Sequence, residues 1–278
     1  MSFSNPPSTR EGRRAPFEAW LDGLDERHLA NLTISEVTRG LRALSSCYVE
    51  RREKLATGGA LDGAGKRAAF ALLYGPQHFL ISQEVVRRVL RSALDAAPAV
   101  EEGGSRIEMV LDLGCGTGAA GAAAALASGA RSLEGFDLNP WAVREANWTY
   151  RAFGLHGHAS VMNVSRLRVR ASPGTLILAA YSVNELPDEL RSDLLRRFQD
   201  AHRRGASVLV IEPIGRRVNL WWNDWAAAFK TSGGREDDWR FDVPLPPRQR
   251  QLAKGAGLDV QGLTARSLYL GEPPADSE

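Results

Sequence analysis

The chain has 278 residues and a formal net charge of +2, with 44% hydrophobic and 24% charged residues. This composition is typical of a globular protein and lacks the basic excess of a dedicated nucleic-acid binder. No apolar run approaches the roughly 20 residues that span a bilayer, and the first residues lack the apolar core of a secretion signal. Two cysteines far apart in the sequence offer neither a disulfide framework nor a zinc cluster. We therefore expect a cytoplasmic protein with no membrane or metal partner.

The first hundred residues predict a helical region. Residues 1–14 are polar and proline-rich, which predicts a disordered arm. In the helical domain expected over residues 15–100, Thr33 and Glu36 have the spacing of a capping box at the start of a helix. Residues 78–94 repeat apolar side chains every three or four positions, which predicts a second amphipathic helix. We expect this helical domain to form a cap on the domain that follows.

The domain predicted over residues 101–278 consists of short apolar runs that alternate with helical segments. The runs are typical of buried strands and lie at 106–114, 131–139, 158–164, 174–186 and 206–213. Strands that alternate with helices predict an α/β fold, a doubly wound parallel sheet with helices on both faces. Near the end of the chain, residues 258–271 predict two more short strands, which we expect to pair as a hairpin because they follow each other directly.

A glycine-rich loop, within the sequence VLDLGCGTGAAG, follows the first predicted strand. Glycine permits positive φ angles and close approach of a ligand, and the free N–H groups that open the next helix favour an electron-rich group. The loop fits two cofactors. Gly116, Gly118 and Gly121 form the G-x-G-x-x-G pattern of dinucleotide binding, whereas Asp112 followed by Gly114, Gly116 and Gly118 forms a different pattern. An ordinary tight turn is the third interpretation.

The stretch from Val110 to Gly118 resembles motif I of the class I S-adenosylmethionine (SAM) methyltransferases. The resemblance implies a seven-stranded, Rossmann-like sheet, SAM as the cofactor and methyl transfer as the reaction. In that family the acidic residue, here Asp112, serves the methionyl ammonium group, usually through water. The glycines, here Gly114, Gly116 and Gly118, pass beside the methionyl part and the ribose.

Three features favour SAM over NAD(P). The spacing of Asp112 and Gly114 matches motif I, and the hairpin expected at the end of the chain matches the antiparallel seventh strand of the methyltransferase fold. The glycine loop also follows a long helical region, whereas a NAD domain often opens its chain.

Further positions of the family can be carried over to the ends of the next strands. Asp137 ends the second strand, where a carboxylate can accept hydrogen bonds from both ribose hydroxyls, as it also does in NAD enzymes. Leu138 and Asn139 would flank the ribose and adenine. Asn163, at the end of the third strand, would accept a bond from the adenine amino group or is a simple loop asparagine.

The acceptor side of the site is expected after the fourth strand. Tyr181 ends that strand, and its ring would stabilise a sulfonium by a cation–π contact or simply pack there. Asn184 and Glu185 are candidates for contacts with the acceptor. Glu185 would act as a base, orient an amine or cap the following helix. Tyr181, Asn184 and Glu185 are thus the candidate catalytic residues.

Methyl transfer from a sulfonium is a direct displacement, in which orientation and exclusion of water supply most of the catalysis. A base is needed only when the nucleophile arrives protonated and weakly acidic. The motifs therefore indicate the cofactor better than the acceptor. We expect the acceptor to be a small molecule or ribosomal RNA. In the alternative, the protein binds SAM, methylates nothing and acts as a ribosome-assembly or scaffold factor.

A longer stretch, over roughly residues 35–215, resembles the ribosomal small-subunit methyltransferase-like family, which includes the mitochondrial small-subunit assembly protein and bacterial relatives. The resemblance implies an association with small-subunit ribosomal RNA. Members often carry a cysteine cluster after the fifth strand, thought to hold an iron–sulfur centre. This chain has no cysteine there and instead has Trp221, Trp222 and Trp225, which would cover the acceptor, stack on bases or form a packing face. His78, in the helical region, would reach over the cofactor or pack as an ordinary core or surface residue.

Overall fold

The computed structural model describes residues 15–50, 61–96, 107–163, 172–215, 220–258 and 262–271. The predicted disordered arm, residues 1–14, lies outside these ranges. The strands are β1 (Met109–Leu113), β2 (Ser132–Asp137), β3 (Gly157–Val161), β4 (Thr175–Ala180), β5 (Ser207–Glu212), β6 (Arg235–Phe241) and β7 (Leu263–Leu270). The helices are α1 (Pro16–His28), α2 (Ile34–Glu50), α3 (Ala64–Ala69), α4 (Gly75–Ala96), α5 (Ala119–Ser128), α6 (Pro140–Ala152), α7 (Asp188–Arg203), α8 (Trp222–Thr231) and α9 (Pro247–Ala256).

Within the described residues, seven strands form one sheet in the order β3-β2-β1-β4-β5-β7-β6. The first five strands run parallel, and β7 runs antiparallel to both β5 and β6. Every residue of β4 and β5 is buried, as expected for central strands that helices cover on both faces. Side chains of α4, α5 and α6 belong to the core on one face, and those of α7 and α8 to the core on the other. The predicted doubly wound α/β fold is confirmed.

The predicted hairpin over residues 258–271 is wrong. Leu263–Leu270 is a single strand, β7, and its second neighbour, β6, comes from Arg235–Phe241, before α9. The sequence of β6, REDDWRF, carries too many charged side chains to suggest a buried strand, and most of its residues are partly or fully exposed at the edge of the sheet. The expected number of strands, seven, is nevertheless confirmed.

Small side chains let the N-terminal helices lie directly on the sheet domain. The residues from Ala119 to Ala125 are glycine or alanine and are all buried in α5, and α4 packs along this helix. Side chains of α1, α2 and α4 therefore share one continuous hydrophobic core with the sheet. The predicted N-terminal helices are confirmed, whereas the domain boundary near residue 100 stays a prediction.

A π-helical turn, Phe70–Tyr74, joins α3 to α4. Pro76 follows it and has no N–H to give to the carbonyl of Leu72, four residues earlier. The Leu72 carbonyl instead accepts a hydrogen bond of 2.9 Å from the side-chain amide of Gln249 in α9, which is 2% exposed. The π-helical turn in the N-terminal region is thus stabilised by Gln249, a residue from the C-terminal part of the chain.

A second polar contact holds α1 on α6. The carboxylate of Glu145 is nearly buried, accepts a hydrogen bond of 2.8 Å from Arg27 and lies 3.2 Å from the His28 ring nitrogen. Burial raises the pKa of Glu145, but the hydrogen bonds and positive charge of His28 and Arg27 outweigh it, so the pKa lies below its ordinary value. The capping box of Thr33 and Glu36 is also confirmed, with both reciprocal hydrogen bonds present.

We predict that Gln249→Ala lowers the free energy of unfolding by about 1–3 kcal/mol, because the Leu72 carbonyl would remain buried without its donor. Urea unfolding measures the change. Lys254→Ala on the exposed face of the same helix is the control and should change stability little. Equal stability of the two variants would contradict the role assigned to Gln249.

Candidate active site

The glycine loop joins β1 to α5 at the carboxyl edge of the sheet. Gly114, Gly116 and Gly118 have φ angles of 75°, 52° and 76°, a region that side-chain-bearing residues rarely adopt. The Gly114 N–H donates to the Phe136 carbonyl, which fixes the loop against the end of β2. The loop therefore has the backbone conformation that the sequence predicted for a ligand-binding turn.

Asp112 lies in β1, two residues before the first glycine of this loop, and is fully buried. A Cβ atom placed on Gly121 would lie 2.4 Å from its Oδ2 atom, so only glycine fits at that point of α5. The third glycine of the dinucleotide-like pattern is therefore explained by packing against a carboxylate. Burial raises the pKa of Asp112 to about 7, which the Gly121 N–H only partly offsets, and the nearby charge of Asp137 raises it further.

Asp137 ends β2 on the other side of the loop. Its Oδ2 atom accepts a hydrogen bond of 2.9 Å from the Gly116 N–H, and its Oδ1 atom accepts one of 2.8 Å from the Asn139 N–H. Burial raises its pKa, although these backbone donors lower it in part. A carboxylate has about four lone-pair positions. The two bonds to the backbone therefore leave acceptor capacity for a diol.

Exposed apolar side chains surround the ends of β2 and β3. Leu138 is 59% exposed and Val161 53% exposed, and Met162, whose N–H donates to the Asp137 carbonyl, is also exposed. Asn139 caps α6, because its side-chain oxygen accepts from the N–H groups of Trp141 and Ala142, the second and third helical residues. Asn163 lies two residues beyond the end of β3 and is half-buried.

Tyr181 directly follows β4 and has a φ angle of 59°, the one positive value among the non-glycine residues of the described ranges. Its N–H donates to the Ile211 carbonyl at the end of β5. The next residue, Ser182, packs against Gly114, and its hydroxyl donates to the Leu113 carbonyl at 2.8 Å. The segments that follow β1 and β4 are thus held together, with Tyr181 beside the glycine loop.

Asn184 and Glu185 lie in a short 3₁₀ turn after Tyr181. The Asn184 N–H donates to Oε1 of Glu212, a buried residue that ends β5. The side-chain oxygen of Asn184 accepts a hydrogen bond of 3.0 Å from the Trp221 indole. Glu185 is half-buried, and its N–H donates to the Ser182 carbonyl. Helix α7 begins after Pro187, which gives no side-chain cap. The interpretation of Glu185 as the cap of that helix stays a prediction, as do its other two.

The N-terminal region contributes aromatic side chains to the same place. The Phe70 ring lies 3.5 Å from a Cβ position built on Gly116, and the His78 ring is stacked on Tyr181 with centroids 3.8 Å apart. The structure thus places His78 beside Tyr181, and its reach over the cofactor stays a prediction. Sequence reasoning missed Phe70, Ser182 and Glu212; only Glu212, an acidic residue at a strand end, carried a signal.

The remaining candidate side chains serve packing. Trp222 and Trp225 are buried in the core between α8 and the sheet, whereas Trp221 is half-buried beside Asn184. Cys115 is buried, and burial raises the pKa of its thiol well above the ordinary value, which makes it a poor nucleophile. In the described ranges, no cluster of three or more histidine, cysteine or acidic side chains could hold a metal ion, and no helix is long and apolar enough to cross a membrane.

We predict that Asp112→Asn stabilises the ligand-free protein at neutral and higher pH. The pKa of Asp112 in the folded state lies above its value in the unfolded state, so the folded state binds the extra proton and this residue contributes less stability as the pH rises through about 7. The variant should unfold with a free energy higher by roughly 1–4 kcal/mol at pH 8, and by less at pH 5. Urea unfolding at both values is the measurement, with the exposed β2 variant Glu134→Gln as control. A gain that does not depend on pH would contradict the account.

Residues 110–205 match the sequence profile of the family described as "Methyltransferase domain". The matched segment runs from β1 to the loop before β5 and contains the glycine loop, Asp137 and Tyr181. A comparison with curated protein sequences gave no match. The resemblance to the ribosomal small-subunit family is not confirmed by this match.

Several solved structures are similar to the chain. The YcgJ protein of Bacillus subtilis is 13% identical with a TM-score of 0.42, over 69% of this chain and 99% of that one. The N-methyltransferase NodS of Bradyrhizobium japonicum WM9, in complex with S-adenosylhomocysteine (SAH), is 14% identical with a TM-score of 0.44, over 69% and 87%. A ribosomal protein L11 methylase of Lactobacillus delbrueckii subsp. bulgaricus is 12% identical with a TM-score of 0.38, over 68% and 78%. Likenesses at this level say nothing about the acceptor.

The strand order with its antiparallel β7, the conformation of the glycine loop and the matched profile agree with one another. Residues 110–205 therefore carry a methyltransferase domain, an enzyme domain whose cofactor is SAM.

Proposed function

We propose that SAM binds over the glycine loop between Asp112 and Asp137 and that the protein transfers the methyl group by direct displacement. The observation that carries this proposal is the pair of buried carboxylates. Burial raises the pKa of both residues, and the negative charge of Asp137 raises that of Asp112. Among the ion pairs of the described residues, neither carboxylate takes part in one. A ligand with positive charge would relieve the repulsion between the two carboxylates.

The residues around the loop fit the parts of this cofactor. Asp137 has acceptor capacity for the two ribose hydroxyls. Leu138, Val161 and Met162 offer exposed apolar surface to the adenine. Asn163 lies near enough to the end of β3 to contact the base. Gly114, Gly116 and Gly118 leave room for the methionyl part. Asp112 is fully buried, so we expect it to favour the ammonium group through its field or through water.

SAM supplies an electrophilic methyl group on a positively charged sulfur. The protein must place the acceptor in line with it and exclude water. Tyr181 offers an aromatic ring, whose face attracts a cation, and Asn184 and Glu185 follow it in a half-buried 3₁₀ turn. We expect Glu185 to orient an amine or to accept a proton where the acceptor needs it. These three roles follow from position and chemistry.

The acceptor is a small molecule or ribosomal RNA. The net charge of +2 favours a small molecule, whereas the resemblance over roughly residues 35–215 favours RNA. One observation supports a catalytically silent, scaffolding role: Asn184 uses both its N–H and its side-chain oxygen in contacts within the protein. A cytoplasmic location stays a prediction from the sequence.

Labelled methyl transfer distinguishes these functions. The purified chain is incubated with methyl-labelled SAM and, separately, with small-subunit ribosomal RNA and with a metabolite extract. Label in a metabolite supports the small-molecule enzyme, and label in RNA supports the RNA enzyme. Binding of SAM without labelled product in either mixture supports the scaffold role.

We predict that Asp137→Ala weakens SAM binding by about 1.5–3 kcal/mol, because hydrogen bonds to a charged acceptor are lost. Isothermal titration calorimetry gives the dissociation constants. Glu134→Ala, an exposed acidic residue on the same strand, is the matched control for the loss of charge. The assigned role would be refuted if the two variants bound SAM equally well.

We also predict that SAM binding weakens as the pH falls from 7.0 to 5.5, because binding of a cation requires Asp112 to be ionised and its pKa in the free protein is about 7. The affinity should fall by up to about tenfold per pH unit, with release of a proton on binding. Calorimetry in two buffers with different ionisation enthalpies measures that proton. An affinity that is constant or rises toward low pH would contradict the prediction, and Asp112→Asn should reduce the dependence.

A further inference from the structure

His78 and Tyr181 form a parallel stack between the two parts of the chain. Their ring centroids are 3.8 Å apart and their planes are inclined by 9°. His78 lies in the first turn of α4, and Tyr181 directly follows β4, 103 residues later in the sequence. The N-terminal region thus contacts the residue that lies beside the glycine loop.

Tyr181 has an unusual conformation that needs support from its surroundings. Its φ angle of 59° is in the left-handed region, where a bulky residue is strained. Its hydroxyl is buried and has no hydrogen-bond partner among the described residues. No polar contact of the hydroxyl fixes the ring, which stacks on His78 and packs against the hydrophobic core.

Other aromatic rings extend this contact to the glycine loop. Phe70 meets His78 edge to face, with centroids 6.2 Å apart, and it also lies 3.5 Å from the Cβ position built on Gly116. Tyr74 lies against both Phe70 and His78. Phe70, Tyr74, His78 and Tyr181 form an aromatic wall that runs from the glycine loop to the end of β4.

The aromatic wall is uncharged. Burial lowers the pKa of His78 to about 3 and raises that of Tyr181, so neither ring carries a charge near neutral pH. A protonated imidazole at this place would repel a sulfonium. A neutral ring stacked on one face of the phenol adds no positive charge that would oppose a cation on the other face.

We propose that His78 is a positioning residue of the methyl-transfer site, whose stacking holds the Tyr181 ring in the orientation that faces the sulfonium. This inference rests on the proposed function, because the sulfonium is the charge that the ring serves. It makes the N-terminal region part of the active site. The wall would also keep water from the methyl group.

A comparison of SAM with SAH separates this role from simple packing. The two ligands share the adenosine and amino-acid parts, but SAH lacks the methyl group and its sulfur is neutral. If His78 only stabilises the fold around the site, its removal weakens the binding of both ligands equally. If His78 orients Tyr181 toward the sulfonium, its removal weakens the binding of SAM more than that of SAH.

The experiment measures both dissociation constants by calorimetry for the wild type and for His78→Ala, His78→Leu and His78→Phe. We expect His78→Ala and His78→Leu to lower the preference for SAM over SAH by about 3- to 10-fold, and His78→Phe, which keeps a stacking ring, to retain it. Gln83→Ala, a half-buried polar residue on the same helix, is the control and should leave the preference unchanged. His78→Leu keeps a similar side-chain volume without a ring, and it provides the answer if His78→Ala does not fold.

Equal weakening of SAM and SAH in His78→Leu, or a preference that His78→Phe does not restore, would overturn the role of His78. These results differ from a failure of the proposed function. In that case the wild type itself would bind neither ligand, and the inference would fall with it.

Discussion

The buried carboxylate of Asp112 is the constraint on which the site depends. Its position at the end of the central strand β1 requires glycine at residue 121 of the helix packed above it, because any Cβ atom there would meet the carboxylate. The small side chains of α5 in turn allow α4 to lie along that helix. One acidic residue in the core thereby fixes one glycine of the next helix, and the other small side chains of that helix let α4 lie close to the glycine loop. A buried charge without an ion pair destabilises the folded chain, which is understandable if the protein binds a cation there.

Much of the fold could be predicted because its signals are local. β1, β4 and β5 are apolar runs that end at glycine or polar residues, and they lie at the centre of the sheet, where both faces are covered. β6 could not be predicted in the same way, because an edge strand does not need an apolar sequence. The mistaken hairpin followed from that omission, since β7 has to pair with some strand and β6 had not been recognised.

The residues of the candidate site also differ in whether a local sequence signal marks them. Asp137 and Tyr181 could be located from the sequence, because each follows directly from the end of a strand in a parallel sheet. The stack of His78 on Tyr181 could not, since it joins residues 103 positions apart through the packing of α4. The positive φ angle of Tyr181 has no local signal either, because a bulky residue rarely adopts it. Sequence motifs therefore indicate the cofactor, and tertiary packing decides what surrounds its reactive end.

The most direct test of the central claim is a crystal structure of the chain grown with SAM or SAH. The account predicts density for the ligand over the glycine loop, with its ribose hydroxyls on the Asp137 carboxylate and its sulfur facing the Tyr181 ring. A dinucleotide in that cleft, or a ligand bound away from Asp137, would contradict it.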